Sequence, residues 1–374
     1  MPVPGDGAAR LPQNGERGVR RSTRQSASAP ARLRAPIFRP ASNRFYGSKT
    51  GGKDKVTTGG MIVIMDAPEA LLTDLQIVKE WALNALPLPP LRTNDDYMTI
   101  AIEVMNHAHF LLRIGISLAP TDIQADRGVT RRTAIVLGHL VRIHKLYDAL
   151  RCHAAQRQRD ICLILTRLLV ESASKAEYLM KAGRSSFRSF VLTSYRPEKE
   201  MLEDLRRKST LRRPLPIERR MVSSVRNNLK EDRLSLKELM ANRRWELDGK
   251  NFRQILSDLG RDMEYVYGFG SGSHFVHGDW FDLKLHHLRR VNGRYEPDWE
   301  GPTPDPRGVC PVTDLCLSSL LAFIRWRRSD PDRVVVPIIQ RVLEVTRSLD
   351  DAHELSLQRR SEAQGAPNER SADV

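Results

Sequence analysis

Residues 157–181 read RQRDICLILTRLLVESASKAEYLMK, and this stretch indicates the fold class. Between Ile161 and Val170 nearly every residue is apolar. A helix that is apolar on almost all sides has to be surrounded by other elements, so it lies in the middle of a bundle. We therefore expect a helix from about Arg157 to Lys181 at the centre of the protein.

The sequence on both sides of this stretch continues the helical pattern. Asp66 with Pro68 suits the first turn of a helix, and Asp95 with Asp96 suits the first turn of the next, because capping acids and an early proline are favourable there. The predicted helices cover residues 66–86, 93–118, 130–150, 157–181, several polar segments within 186–240, then 245–267, 312–327 and 331–349, with a loop at 292–311. Only residues 61–65 have the character of a strand. The sequence thus predicts an all-α fold, an irregular multi-helix bundle that forms one domain over residues 61–350 and is followed by a frayed tail at 351–374.

The net charge of +15 is distributed unevenly along the 374 residues. Residues 1–60 contain twelve Lys or Arg and three acids, a net charge of +9, and they lack a periodic apolar pattern. Such a segment cannot bury enough surface to offset the entropy of ordering, so we expect a disordered basic tail. It either touches nucleic acid without specificity or has no role in the folded state, and an alternative is that the chain begins at Met61.

Cysteine usage and hydropathy indicate a cytoplasmic protein. The four cysteines have neither paired CxxC spacing nor the density of a disulfide scaffold: Cys152, Cys162, Cys310 and Cys316. The most apolar candidate for a membrane span, residues 312–326, contains Asp314 and Arg325, so we expect a core helix there. No apolar signal segment precedes residue 61.

Arg167 and Glu171 are four residues apart on the predicted central helix, and Tyr178 follows two turns later. One interpretation is an ion pair within the helix. The order with Arg first is the weaker orientation for such a pair, and buried charges usually need further partners. The other interpretation is that both side chains face a polar pocket.

A second candidate region is the glycine-rich stretch from Tyr267 to Leu283, which reads YGFGSGSHFVHGDWFDL. Its alternating glycines are unfavourable in an ordinary helix and permit tight turns or close approach, so we expect an irregular functional segment. A metal site is one hypothesis, from His274, His277, Asp279 and Asp282. The structural alternative is that Ser273 or His277 satisfies buried groups and bonds to the Arg167–Glu171 pair. The stretch fits neither a dinucleotide fingerprint nor a nucleophile elbow.

Two Arg–His pairs have spacings similar to those in ribonucleases built on helical bundles. They are Arg132 with His139 and Arg347 with His353. In a chain with ten histidines and many arginines, such pairs are expected by chance.

Two motifs together resemble a bacterial family of unknown function, DUF5677. The first is the Arg-x3-Glu pattern of Arg167 and Glu171, and the second is Ser273-x3-His277-Gly-x-Trp280. The resemblance covers roughly residues 95–290; the extra glycines leave Tyr265 and Tyr267 as alternatives for the tyrosine before the serine. It implies a helical domain in which Arg167, Glu171, Ser273 and His277 gather at one place, and it implies no established chemistry.

Two hypotheses for function follow from these residues. In the first, a pocket uses His277, Ser273, Arg167 and Glu171 as catalytic groups and Tyr178, Tyr267, His274 and Trp280 for binding, with histidine as the acid/base group. An anionic ligand such as a phosphate ester or RNA would fit, as in a helical-bundle ribonuclease of a defence system. In the second, the same residues form a buried network in an interaction or scaffold protein. The sequence identifies no cofactor, no metal set and no definite partner; homo-oligomerisation stays open and a membrane partner is not expected.

Overall fold

The protein is described here by a computed structural model, which describes residues 69–118, 129–330 and 333–365. The predicted basic tail, the strand character of residues 61–65 and the first turn at Asp66 lie outside the described residues. The rest of the predicted fold can be compared with the structure.

The described part of the chain is helical apart from one short hairpin, which confirms the all-α class. The α-helices are α1 Glu69–Asn84, α2 Asn94–Ser117, α3 Arg131–Ala155, α4 Arg159–Lys181, α5 Arg184–Ser194, α6 Arg196–Ser209, α7 Pro216–Glu231, α8 Leu236–Ala241, α9 Phe252–Asp258, α10 Ser271–His277, α11 Trp280–Asp282, α12 Pro306–Arg327 and α13 Val335–Gly365. A 3-10 turn at Leu247–Gly249 and two π-helical segments at Glu264–Gly270 and Leu283–His287 lie between them. The antiparallel hairpin pairs β1, Leu288–Val291, with β2, Arg294–Pro297.

The start of α2 shows how local sequence places a helix. The Thr93 side chain accepts a hydrogen bond from the backbone N–H of Asp96, and the Asp96 carboxylate accepts one from the backbone N–H of Thr93. This reciprocal box satisfies two donors that a helix N-terminus otherwise leaves without partners. The predicted bounds of 93–118 are accordingly close to the observed ones.

Helix α4 is central, as its all-round apolar sequence predicts. It packs against α3, α12, α10 and the π-helical segment 264–270. Its residues Leu169, Ala173, Ala176 and Leu179 are completely buried. Helices α2, α12 and α13 complete the same core through mutual contacts.

A smaller apolar cluster holds α5, α7 and α8 together. Its buried residues are Val191, Tyr195, Val225, Leu229, Leu234 and Leu239. Tyr195 also donates a hydrogen bond from its hydroxyl to Asp232 Oδ2 at 2.6 Å. The polar helices predicted within residues 186–240 are α5 to α8, and they separate at Pro197 and around Pro214 and Pro216, as expected.

The prediction of one helix over residues 245–267 is wrong. Asp248 and Gly249 adopt positive φ values of 57° and 72°, and Gly260 adopts 70°. The Asn251 side chain caps α9 by accepting from the N–H of Gln254. These local stops divide the segment into a 3-10 turn, α9 and the first π-helical segment.

The glycine-rich stretch is helical, which corrects the expectation that its glycines prevent a helix. Residues 264–270 are π-helical and residues 271–277 form α10, which ends at Gly278 with a φ of 59°. The intrinsic cost of glycine in a helix is offset here by packing, since glycine allows the close approach to α4 described below.

The predicted loop at 292–311 contains part of a hairpin and the start of a helix. Asn292 and Gly293, with φ values of 50° and 80°, form the two-residue turn between β1 and β2. Asn-Gly is the usual sequence of such turns, so the signal was present in the sequence. Helix α12 begins at Pro306 rather than at residue 312, and α13 continues to Gly365, well beyond the frayed end expected after residue 350.

Helix α12 is long and apolar enough to cross a membrane, judged by length and composition alone. In the structure most of it is buried against α2, α4 and α13. Core helices of this kind meet the same criteria as membrane spans, so the composition of α12 is accounted for by its place in the core.

Candidate functional site

Arg167 of α4 and Ser273 of α10 meet directly, as the two motifs predict. The Arg167 Nη1 donates to Ser273 Oγ at 2.9 Å, and Ser273 Oγ donates in turn to the carbonyl of Phe269 at 3.2 Å. The Arg167 guanidinium also lies over the Phe269 ring, 4.4 Å from its centroid. The arginine is thus held by a hydroxyl and an aromatic face that both belong to the glycine-rich segment.

Two glycines, four residues apart, bring this segment against α4. A Cβ added at Gly268 would lie 3.0 Å from Val170 Cγ2. A Cβ added at Gly272 would lie 2.8 Å from Arg167 Cβ and 3.4 Å from the carbonyl oxygen of Leu163. Glycine at both positions therefore lets two helical backbones approach more closely than any larger residue allows.

Glu171 and Tyr178 bind other partners. Lys175 Nζ lies 2.5 Å from Glu171 Oε1, an i,i+4 ion pair on α4. The Tyr178 hydroxyl donates to Asp248 Oδ2 at 3.0 Å, and burial, followed by this bond, raises the pKa of Tyr178. Both residues lie on α4 with Arg167, but they contact different parts of the chain. In the described residues Glu171 and Tyr178 therefore form their hydrogen bonds with Lys175 and Asp248, and neither is hydrogen-bonded to Arg167.

A buried ionic network, which the sequence analysis missed, lies further along α4. Glu177 is nearly buried and receives Arg261 Nη2 at 2.9 Å and Lys181 Nζ at 2.9 Å. Arg261 also bonds Glu264 Oε1 at 2.7 Å. The spacing of Glu177 and Lys181 was visible as an i,i+4 pair, but nothing in the sequence marks Arg261 as the third member.

His139 of α3 lies beside the charged residues of this part of α4. Burial, and then the charges of Lys175 and Arg142, lower its pKa to about 4, while Glu171 opposes the shift. Among the described residues neither ring nitrogen of His139 has a hydrogen-bond partner. Its ring packs edge-on against Phe190. Its surroundings thus keep the histidine neutral, which suits a packing role.

The Arg–His pairs of ribonuclease-like spacing do not form joint sites. Arg132 lies over the Phe187 ring at 4.8 Å from its centroid. Arg347 pairs with Asp314 at 2.6 Å, whereas His353 is completely buried and lies 3.4 Å from Asn94 Oδ1. Each member of the two pairs therefore has separate neighbours.

The other predicted site residues lie on the outer side of the glycine-rich segment. His277 is exposed, and no hydrogen bond joins it to Arg167, Glu171 or Ser273 in the described part of the chain. Tyr267 and Trp280 are exposed by 70% and 56%. The structure thus separates an inner pair, Arg167 with Ser273, from an outer set that contains Tyr267, His274, His277 and Trp280.

The Asp279 carboxylate joins His274 of α10 to the backbone at the start of α11. It lies 2.5 Å from His274 Nδ1 and accepts from the backbone N–H of Phe281 and Asp282. The bond with His274 holds the pKa of Asp279 below its usual range. No group of three or more His, Cys, Asp or Glu side chains within the described ranges is arranged to hold a metal ion, so the metal hypothesis for His274, His277, Asp279 and Asp282 gains no support.

The outer side carries a concentration of exposed apolar side chains. They are Met263, Val266, Tyr267, Val276, Trp280, Phe281, Leu283, Leu285, Tyr295 and Trp299, and we call this set the outer face. Trp280 and Tyr295 contact each other edge-on, with ring centroids 5.3 Å apart. Exposed apolar side chains that adjoin one another, as Trp280 and Tyr295 do, are typical of binding surfaces.

Comparison with known proteins agrees with these motifs. Residues 133–295 match a sequence family described as a family of unknown function (DUF5677). No curated protein and no solved structure matches the chain. The matched part, residues 133–295, is less than half of the chain and contains α4 to α11, and the match confirms the resemblance to this family that the Arg167–Glu171 and Ser273–Trp280 motifs predict.

Proposed function

We propose that this chain is a non-enzymatic scaffold protein that associates with a second copy of itself through the outer face. The observation that carries the proposal is the exposure of ten large apolar side chains between residues 263 and 299. They are borne by short helices, π-helical segments, a hairpin and the residues around them; of these elements, α9, residues 264–270 and α10 pack against α4. The four free cysteines are typical of a protein in the reducing cytoplasm, and a cytoplasmic location is part of the proposal.

The inner polar residues support a structural role. Arg167 is engaged by Ser273 Oγ and by the Phe269 ring, and the backbone of Gly272 packs against its stem. A guanidinium held by a hydroxyl, a ring and a glycine backbone has fewer donors left for an anionic substrate. The Arg167–Ser273 pair therefore acts as a clamp that holds the glycine-rich segment in place.

A protein partner suits the composition of the outer face. Residues 263–299 contain four Lys or Arg and five acids, so the segment is almost neutral. Tyr, Trp, Phe and Met are the residues enriched in the cores of protein–protein interfaces. Because the face is almost neutral, the outer faces of two copies can bind each other without like-charge repulsion. An interface in which both copies use the same face has two-fold symmetry, so it produces a closed dimer.

An enzymatic alternative, a helical-bundle ribonuclease with His277 as its acid/base group, predicts that His277→Ala abolishes RNA cleavage. It needs His277 close to a second catalytic group. A hydrogen bond from His277 to Ser273 or Arg167 would support this alternative, and no such bond is present among the described residues. The scaffold proposal is the better fit to these contacts.

The proposal is tested by sedimentation equilibrium of the full chain between about 1 and 100 µM. We expect a dimer, and we expect Trp280→Ala with Tyr295→Ala to weaken its formation at least about tenfold, since aromatic anchors supply most interface energy. Leu211→Ala is the control, because Leu211 is 86% exposed in a different part of the chain. A wild-type protein that stays monomeric over this range, or a double variant that dimerises as well as wild type, would overturn the proposal.

A further inference from the structure

We propose that the exposed cations of α7, with the groove beyond its C-terminus, bind the phosphate backbone of a nucleic acid without reading its sequence. We call Arg219, Ser223, Arg226 and Lys230 the basic stripe, and its groove continues at Arg233. These residues are separate from the outer face, so the inference stands independently of the scaffold function.

Charge in the folded part of the protein is concentrated around α7. Residues 206–244 contain thirteen Lys or Arg and four acids, a net charge of +9. The other residues after position 60 carry a net charge of −3. The positive charge of the chain beyond residue 60 therefore belongs to residues 206–244, from the last turn of α6 to the segment after α8, where it can produce a local positive potential.

The basic stripe lies along one face of α7. Its members follow each other at spacings of four, three and four residues, which places them on one side of a helix. All four are exposed. From Arg219 to Lys230 the stripe is about 16 Å long, given a rise of about 1.5 Å per residue.

The cations of the stripe have no acidic partners. In the part of the chain that the structure describes, no carboxylate lies within 4.0 Å of Arg219, Arg226, Lys230 or Arg233. The nearby pairs are Arg212 with Glu218 and Arg131 with Asp232. The positive charge of this row is therefore available to an external anion.

The stripe leads into a concave groove of about 430 Å³. Arg226, Lys230 and Arg233 line it together with Ser235. Its one acidic wall residue, Glu238, is already paired with Arg188. Three cations and a hydroxyl around a groove without a free acid offer the donors that phosphate oxygens accept.

The length of the stripe fits a polyanion. Phosphates of one strand in a duplex follow each other at about 3.4 Å along the axis, so a row of about 16 Å spans several of them. Arginine, lysine and serine side chains are the usual donors to phosphate in such interfaces. Because these groups contact backbone oxygens, we expect binding that is strong at low salt and independent of base sequence.

An anionic membrane is the less favoured partner. The exposed apolar residues of α7, Ile217 and Met221, are at helix positions on the side opposite the basic stripe. A helix that lies in a membrane surface buries its apolar side, which would turn the middle of this stripe away from the lipid headgroups.

The test measures binding of the full chain to a labelled RNA and a labelled DNA duplex of about 20 base pairs at several salt concentrations by fluorescence anisotropy. The variant is Arg219→Gln with Arg226→Gln and Lys230→Gln. We expect at least about tenfold weaker binding and a shallower slope of log K against log salt by about 2 to 3, the value for three lost phosphate contacts. The control, Arg289→Gln with Arg290→Gln and Arg294→Gln, removes the same charge from the exposed hairpin.

The outcomes separate the alternatives. An unchanged affinity and slope in the stripe variant, with a wild-type melting temperature, would overturn the proposal. An equal loss in the hairpin control would also overturn it, because net charge alone would then explain binding. Cosedimentation with phosphatidylserine vesicles is the third arm: if the stripe variant loses vesicle binding and keeps nucleic-acid binding, the surface is a membrane site instead.

Discussion

At the scale of single residues, Gly272 shows how composition and packing are linked. Its backbone lies so close to α4 that an added Cβ would be 2.8 Å from Arg167 Cβ. That neighbour is near the backbone and cannot move as the end of a flexible side chain can. The same close approach brings Ser273 to the Arg167 guanidinium. Glycine at position 272 lowers the helix propensity of α10, but it permits the close contact with α4 that positions Ser273.

We predict that Gly272→Ala lowers the free energy of unfolding by about 1 to 3 kcal/mol, because α10 must move away from α4. The measurement is chemical denaturation monitored by circular dichroism. Gly138→Ala is the matched control: Gly138 is on α3, nothing lies within 4 Å of its added Cβ, and alanine there should stabilise the helix by up to about 1 kcal/mol. If the two variants change stability alike, the close approach of α10 to α4 is not what requires glycine.

At the scale of elements, α4 serves as the support for the segment between residues 247 and 277. Its successive turns hold Gly272 at Arg167, Gly268 at Val170, Arg261 at Glu177 and Asp248 at Tyr178. The segment itself consists of a 3-10 turn, two short helices and one π-helical part, which are rarely stable alone. Its shape therefore depends on contacts with α4 rather than on its own propensity.

We predict that Arg261→Ala loosens this segment and costs about 2 to 3 kcal/mol, less than a fully stranded buried charge, because Lys181 still neutralises Glu177. Hydrogen exchange should become faster in residues 252–277 and stay unchanged in α12. Arg212→Ala, which removes an exposed partner of Glu218, should change the free energy of unfolding much less than Arg261→Ala does. Uniformly faster exchange over all helices would contradict a local role for Arg261.

At the scale of the whole molecule, buried histidines determine how stability changes with pH. Burial lowers the pKa of His107, His109 and His139 to about 4 each, from an ordinary value of 6.5. A group with a lowered folded pKa contributes its stability above pH 6.5 and loses it as pH falls toward 4. Asp350 has the opposite sign: burial raises its pKa to about 6, so its contribution is present below about pH 4 and lost as pH rises. The three histidines together change the free energy of unfolding more than Asp350 does, so stability falls as the pH is lowered.

We predict that the melting temperature is lower at about pH 5 than at about pH 7.5, with each of the three histidines contributing up to about 2 kcal/mol. His107→Phe keeps the stacking on Trp81, whose ring centroid is 4.1 Å away, and removes the titrating group, so the acid loss should shrink. A profile of His107→Phe that matches wild type would refute this explanation.

The sequence by itself determined the features that depend on neighbouring residues. The all-α class and the central place of α4 follow from apolar periodicity, and the start of α2 follows from the capping residues around Thr93. The match of residues 133–295 to the DUF5677 family model was predicted from two short motifs. The hairpin turn at Asn292 and Gly293 also depends on neighbouring residues, because the Asn-Gly pair itself indicates such a turn.

Only the tertiary structure decided which of the motif residues meet. Arg167 bonds Ser273 across 106 residues of sequence, whereas His277, one helical turn after Ser273, points to the exposed side. Glycine spacing alone could not reveal that the glycine-rich stretch is a helix, because its propensity is overcome by packing on α4. The sequence also could not show that the cations of α7 lack acidic partners. Ion pairing depends on the distances between side chains in the fold, and composition gives only the number of charged residues.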